Sequence, residues 1–240
     1  MTRIDSYEDL TDNIVGWLKD YYWMHNVKAF VVGVSGGIDS AVVSSLCART
    51  GLPTYVVCMP LESKFENTKL SDAHSKALVE KYDNVKRIEV ELFSAYDSLI
   101  KSIEWWSEAQ HFDRKEFTSS DHAKANTKSR MRMVTLYQIA GSVGGIVVGT
   151  GNKVEDYGVG FYTKYGDGGV DIAPIADLYK TEVWELGEYL EVDQRIVDAD
   201  PTDGLWIDSR SDEEQLGASY AELEEAMETG TGPAVEVLKK

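Results

Sequence analysis

The sequence predicts an α/β fold, a single domain built as a doubly wound parallel sheet with helices on both faces. Three observations carry that expectation. Short apolar runs without alternation, Ala29-Phe30-Val31-Val32-Gly33-Val34 and Gly144-Gly145-Ile146-Val147-Val148-Gly149 above all, have the length and pattern of strands buried on both faces. Stretches of helical periodicity lie between such runs, so strands and helices alternate as in βαβ units, with right-handed crossovers expected. A chain of 240 residues that is 43% hydrophobic can bury one sizeable core.

The elements follow in order. Ser6 and Asp9 have the form of a capping box, and Leu10, Ile14, Trp17, Leu18 and Tyr21 recur at helical spacing, so an N-terminal helix fills much of residues 1–25. After the first strand and a glycine loop, a helix is expected from Asp39 to Arg49, ended by Gly51-Leu52-Pro53. A strand from Thr54 to Met59 closes at Pro60. Then come a helix from Thr68 to Tyr82, a strand from Val85 to Val90 and a helix from Tyr96 to Trp106. Residues 107–126 are polar and weakly periodic; a helix from Thr127 to Ser142 precedes the last apolar strand. Gly151 to Asp171 is glycine-rich, polar and too long for a plain connector, which marks it as functional. A helix from Thr181 to Leu190, a loop from Asp200 to Asp212 as candidate lid, and short acidic helices over residues 213–240 complete the chain. The run Glu222-Leu223-Glu224-Glu225 reads as a solvated helix face.

Charge and cysteines narrow the function classes. Lys plus Arg number 24 against 41 Asp plus Glu, a formal charge of −17. Such a surface repels a polyanion, so no nucleic-acid partner is expected. The two cysteines, Cys47 and Cys58, end apolar runs and read as small core residues, as in a reduced compartment. The N-terminus has no basic start followed by an apolar stretch, and no run approaches the ~18 apolar residues of a membrane span. The expectation is a cytoplasmic protein with no membrane partner.

The chemistry lies in Val34-Ser35-Gly36-Gly37-Ile38-Asp39-Ser40, where a buried strand turns into a helix. Adjacent glycines let an anion approach the main chain, and successive N–H groups at a helix start, joined by two serine hydroxyls, form a concave phosphate site. Open α/β sheets bind ligands at this end of their strands. A Walker A loop needs a lysine that is absent here. The site instead contains Asp39, and a carboxylate beside phosphates implies a cation between them, hence Mg²⁺. A tight turn capped by Asp39 is the plainer alternative.

Ser-Gly-Gly-x-Asp-Ser resembles the signature of the ATP pyrophosphatases, with their adenine nucleotide alpha hydrolase-like, Rossmann-like fold. These enzymes split ATP between the α and β phosphates, activate an oxygen by AMP transfer, and let a nitrogen or sulfur nucleophile displace AMP. Three further stretches resemble the NAD synthetases among them. Lys128-Ser129-Arg130-Met131-Arg132-Met133 is similar to that family's Ala-Arg-x-Arg-Met helix. Val148-Gly149-Thr150-Gly151-Asn152-Lys153-Val154-Glu155 leads to the block Phe161-Tyr162-Thr163-Lys164-Tyr165-Gly166-Asp167-Gly168. Pro201-Thr202-Asp203-Gly204-Leu205-Trp206 precedes Ser211-Asp212-Glu213-Glu214-Gln215-Leu216-Gly217.

The resemblance implies ATP-dependent amidation of deamido-NAD with ammonia, through an adenylated carboxylate, giving NAD, AMP and pyrophosphate. It implies that Asp39 and Glu155 hold Mg²⁺, and that Gly33, Val34, Ser35, Gly36, Gly37, Ile38, Asp39, Ser40, Thr150, Lys180 and Thr202 contact ATP. Asp39 and Lys180 would carry the catalytic charge, and Arg130, Lys164 and Asp171 would contact deamido-NAD. A homodimer with deamido-NAD near its interface is implied too; Trp105, Trp106 and Tyr137 suit such a surface or helix packing. Glutamine-dependent members carry a further nitrilase-like domain for which this chain has no room, so free ammonia is the expected donor. Two departures stand out. One more residue separates Glu155 from Lys164 than is usual, so Asp156 to Val159 is expected to take its own shape. The chain stops at Leu238-Lys239-Lys240 without the family's terminal His-Lys pair, as a shortened chain would. The other readings are a different ATP pyrophosphatase, such as a tRNA thiolase or a stand-alone synthetase domain, and a non-catalytic ATP-binding module.

Overall fold

A computed structural model describes residues 3–62, 65–113, 117–202 and 211–239. The sheet consists of β1 (Phe30–Gly33), β2 (Thr54–Cys58), β3 (Val85–Glu89) and β4 (Ile146–Val148). All four strands are parallel, in the order β3-β2-β1-β4. Phe30 stands level with Thr54 on one side and Ile146 on the other. β1, β2 and β4 are largely apolar, as strands covered on both faces must be. β3 and β4 are the edge strands, and Lys86, Arg87 and Glu89 of β3 discourage pairing with another chain.

Alternate residues of β1 serve opposite layers, as the two-residue period of a strand dictates. Phe30 and Val32, with Val148, face α1 (Tyr7–Met24), α2 (Ile38–Arg49) and α6 (Lys180–Tyr189). Val31, with Val57 and Val147, faces α4 (Phe93–Ala109) and α5 (Asp121–Val143). The helix α3 (Phe65–Lys81) lies against β2 and β3. The short α7 (Gln194–Val197) and α8 (Asp212–Leu216), then α9 (Tyr220–Thr229) and α10 (Val235–Leu238), complete the chain. A small apolar cluster around Val154, Tyr179, Tyr220 and Leu223 ties α9 to the loop after β4.

The doubly wound parallel sheet is as the sequence predicts, with differences at element ends. Ser120 Oγ accepts from Ala123 N at 3.2 Å and caps α5, which starts at Asp121, inside the polar stretch that has little periodicity. The acidic run on α9 is only partly a solvated face: the Glu224 carboxylate accepts from Thr181 N and Oγ1 at 3.0 and 2.7 Å. Both cysteines are buried and unpaired, and burial pushes the Cys47 thiol upward. No helix among the described residues is long and apolar enough to cross a membrane.

Topology positions the site. From β1 the chain runs outward to β2 and β3, then returns to add β4 on the other side of β1. The loops leaving β1 and β4 therefore diverge, and a cleft opens between them at the C-terminal ends of the strands.

Candidate active site

That cleft is a cavity of about 840 Å³. Its floor is the loop after β1. Gly36 has φ +93°, a conformation open to glycine, and a Cβ there would collide with the Asn67 carbonyl oxygen of α3. The loop is held by its own serines. Ser35 N donates to Ser40 Oγ at 3.1 Å, Gly37 N donates to Ser35 Oγ at 3.2 Å, and Ser40 Oγ donates to Gly37 O at 3.0 Å. The hydroxyls thus shape the cradle rather than add donors to it, which sequence alone does not reveal. Gly37, the N-cap of α2, has no side chain over the helix start, so the dipole end of α2 faces the cavity.

The wall is the loop after β4. Asn152 is fully buried; its Nδ2 donates to Asp39 Oδ1 at 3.0 Å, and its Oδ1 accepts from Val154 N and Glu155 N at 3.1 Å each. It therefore joins the two loops and starts the helix that follows. That helix, Val154–Val159, is a π-helix, the wide turn that takes an extra residue. It covers Asp156 to Val159, the stretch expected to take its own shape. Gly151 lies against the Asp156 carboxylate, where a Cβ would clash.

Three charges meet between floor and wall. Lys180, the first residue of α6 and only 2% exposed, donates from Nζ to Asp39 Oδ2 at 2.6 Å and to Glu155 Oε1 at 2.8 Å. Two acids hold the start of α6: Tyr179 N donates to Glu182 Oε2 at 2.8 Å, and Glu224 takes the Thr181 donors. Burial pushes the Asp39 carboxyl above its ordinary range, against the pull of Lys180. Burial also acts on Glu155, but there the Lys180 ammonium and the Tyr220 hydroxyl prevail and hold it low. Lys180 loses solvation on burial, yet its two carboxylate partners keep it firmly protonated. Asp156, in the same cavity, is pushed up to about 6 by burial and by Glu155, Asp167 and Asp39.

Gly33 through Ser40, Thr150, Glu155, Lys180 and Thr202 all line this one cavity. Arg130, Lys164 and Asp171 do not. Arg130 Nε donates to Lys164 O at 3.0 Å on an exposed face, while Asp171 accepts from Val147 N at 2.8 Å and Tyr137 OH at 3.0 Å. Asp171 thus fastens β4 to α5. Most of the candidate lid, residues 203–210, lies outside the described residues. Sequence reasoning missed Arg132, His122, Asn126 and Asp156, which line the cavity, and Tyr220, which touches its charges. Arg132 and Asp156 sit inside or next to the motifs already singled out; Tyr220 offered no such signal. The block 161–168 also has structural work: Asp167 accepts from Ser129 Oγ at 2.5 Å and from Thr163 N at 3.2 Å, and Thr163 Oγ1 donates to Asn126 at 2.7 Å, which docks the block on α5.

Comparison with known proteins gives the family. The family described as NAD synthase matches residues 10–239. The NH(3)-dependent NAD(+) synthetase of Carboxydothermus hydrogenoformans is 36% identical over 230 residues, 95% of this chain and 88% of that one. Among solved structures, the NMN synthetase from Francisella tularensis superposes with a TM-score of 0.85 at 32% identity, covering 98% of this chain and 92% of that one. The NH3-dependent NAD synthetase from Campylobacter jejuni superposes with a TM-score of 0.75 at 25% identity, with the same two coverages.

Proposed function

Because the chain belongs to the NAD synthase family, we propose that it is a ligase that amidates deamido-NAD with ammonia at the expense of ATP, the last step in making NAD. The observation that carries this reading is the Asp39–Lys180–Glu155 cluster at the mouth of a lysine-free phosphate loop. In the first step an oxygen of the nicotinate carboxylate attacks the α-phosphorus. The bond from the α-phosphorus to the bridging oxygen breaks, and pyrophosphate leaves. In the second step ammonia attacks the carbonyl carbon of the acyl-adenylate, AMP leaves with the acyl oxygen, and a proton is lost from nitrogen. No covalent enzyme nucleophile is needed. The loop backbone and the α2 N-terminus hold the phosphates, and Lys180 supplies a fixed positive charge where negative charge builds. Positioning of the carboxylate in line with the phosphorus can contribute on the order of 7–11 kcal/mol.

Asp39 and Glu155 both line the cavity beside the Lys180 ammonium, and their hard oxygens suit Mg²⁺, which is commonly held by one or two carboxylates together with substrate phosphates. Bound there, Mg²⁺ would neutralise charge on the departing pyrophosphate.

The family pattern further supports a homodimer. Leu99, Ile103, Trp105, Trp106, Phe112 and Phe117 are exposed on and just after α4. Arg130, Lys164 and Asp171, on the α5 side, would reach deamido-NAD where the acceptor extends from the cavity toward the partner copy. A second reading, favoured by the likeness to the Francisella NMN synthetase, is the same chemistry on the mononucleotide, nicotinate mononucleotide giving nicotinamide mononucleotide.

The deciding experiment supplies MgATP, ammonium and either deamido-NAD or nicotinate mononucleotide, and quantifies amide, AMP and ADP. Amide formed one-for-one with AMP is expected, and the better acceptor chooses between the readings. AMP with neither amide points to a different ATP pyrophosphatase, and ATP binding without AMP points to a binding module.

A further inference from the structure

Tyr220 belongs to none of the motifs through which the site is legible, and it stands 65 residues from Glu155 in the chain. It is nevertheless 1% exposed and sits where the site's charges meet. Its hydroxyl donates to Glu155 Oε1 at 2.7 Å, the same oxygen that accepts from Lys180 Nζ at 2.8 Å. The Lys180 ammonium lies 5.1 Å from the centre of the Tyr220 ring, within reach of its negative face. Asp212, a cavity residue, places Oδ2 3.4 Å from the hydroxyl. A buried tyrosine needs one partner for its hydroxyl; here ring and hydroxyl together address one ion pair.

The helix carrying it is registered to the same point. Tyr220 and Glu224 lie one turn apart on α9, hence on one face. Tyr220 meets Lys180, and Glu224 accepts both donors of Thr181. Two successive residues of α6 are thus gripped by two successive turns of α9. The capping box of Ser219 with Glu222 fixes where α9 begins and so where Tyr220 falls.

We propose that Tyr220 is a positioning residue: its hydroxyl fixes Glu155 Oε1, and through Glu155 and its own ring it holds Lys180 beside Asp39. A glutamate has three rotatable side-chain bonds, and two donors converging on one oxygen leave it one orientation. Charges held in place before the reaction stabilise a transition state at no cost of rearrangement. The inference rests on reading the cavity as the site of AMP transfer.

The test compares full-length wild type, Tyr220→Phe and Trp184→Phe. Trp184 packs edge-on against the Tyr220 ring at 5.8 Å and offers a pure packing change. For each protein kcat, KM for ATP, the thermal midpoint and its rise with MgATP are measured. Tyr220→Phe is expected to keep KM within about threefold while kcat falls about tenfold or more, the pattern of an interaction made in the transition state. Its thermal midpoint should stay at or above that of Trp184→Phe, which should keep its kcat. Wild-type kcat in Tyr220→Phe, or an equal loss of kcat in both variants, overturns the proposal in favour of packing. A wild-type protein that makes no AMP overturns the reading of the cavity itself, a failure visible before any variant is compared.

Discussion

Asp39 carries two loops at once: one oxygen takes Asn152 from the β4 side, the other takes Lys180 from α6. It is also the cleanest charge to remove. Lys180→Met would strand two buried carboxylates, a change that typically costs about 3–5 kcal/mol when one partner of a buried pair is lost. Asp39→Asn leaves the Lys180–Glu155 pair neutral and keeps an oxygen for Asn152. We expect that variant to fold, by circular dichroism and thermal midpoint, and to lose AMP formation; retained AMP formation would refute the role of Asp39. Gly36 gives a second prediction. Alanine there must hold φ +93° and meet the Asn67 carbonyl oxygen, so Gly36→Ala should lose about 1–3 kcal/mol of stability and bind ATP poorly. A thermal melt and an ATP titration check it. Asp39, Glu155 and Lys180 were legible in the sequence because they fall in order along a known pattern, and the structure brings them within hydrogen-bonding distance. Tyr220 was not, because its role depends on a helix-to-helix register that local sequence does not encode.

Elements were legible where local physics decides them. β1, β2 and β4 are unbroken apolar runs, and α1 announces itself by its cap and periodicity. The early start of α5 was hidden because Ser120 and Asp121 mark it while the residues that follow show little apolar stripe. The π-helix itself was not legible, since no composition specifies a wide turn; the expectation reached only that Asp156 to Val159 takes its own shape. The packing of α2 on α3 yields a prediction at this scale. His74 of α3 is buried with Nε2 2.9 Å from Ser44 Oγ of α2, and burial lowers its pKa to about 4. An exposed histidine in the unfolded chain titrates near 6.5. Protons therefore favour the unfolded chain as the pH falls below 6.5. The stability that His74 contributes is fully present above that value and is lost progressively toward pH 4. Between those limits, wild type should lose stability relative to His74→Gln at up to about 1.4 kcal/mol per pH unit. Urea denaturation at pH 7, 6 and 5 measures the difference, and parallel curves would contradict it.

For the whole molecule, exposed apolar residues and the net charge set the expectations. Seven-tenths of the Val134 side chain and more than half of Trp105 and Trp106 face outward on α5 and α4. Grouped together, such residues are costly to leave wet, and the proposed homodimer would cover them. A dimer should sediment at micromolar concentration, and Trp106→Asp should shift it toward monomer with the thermal midpoint of a folded protein; a wild-type monomer would remove the dimer from the proposed function. With a formal charge of −17 on each copy, such a dimer should tighten as salt screens like charges, the reverse of a nucleic-acid binder.

The order of the strands has a consequence in time. β1 touches β4, and Asp39 meets Asn152 and Lys180 across 113 and 141 residues of chain. A nascent chain that has emerged through β3 can already pair three strands, yet it has only the floor of the cleft. The wall, the lysine and the tyrosine that steadies it are synthesised later, each behind the last. Nucleotide can therefore find its seat only near the end of synthesis, and in refolding the recovery of ATP binding should lag behind the burial of the sheet, since distant partners must first pay the entropy of long loops.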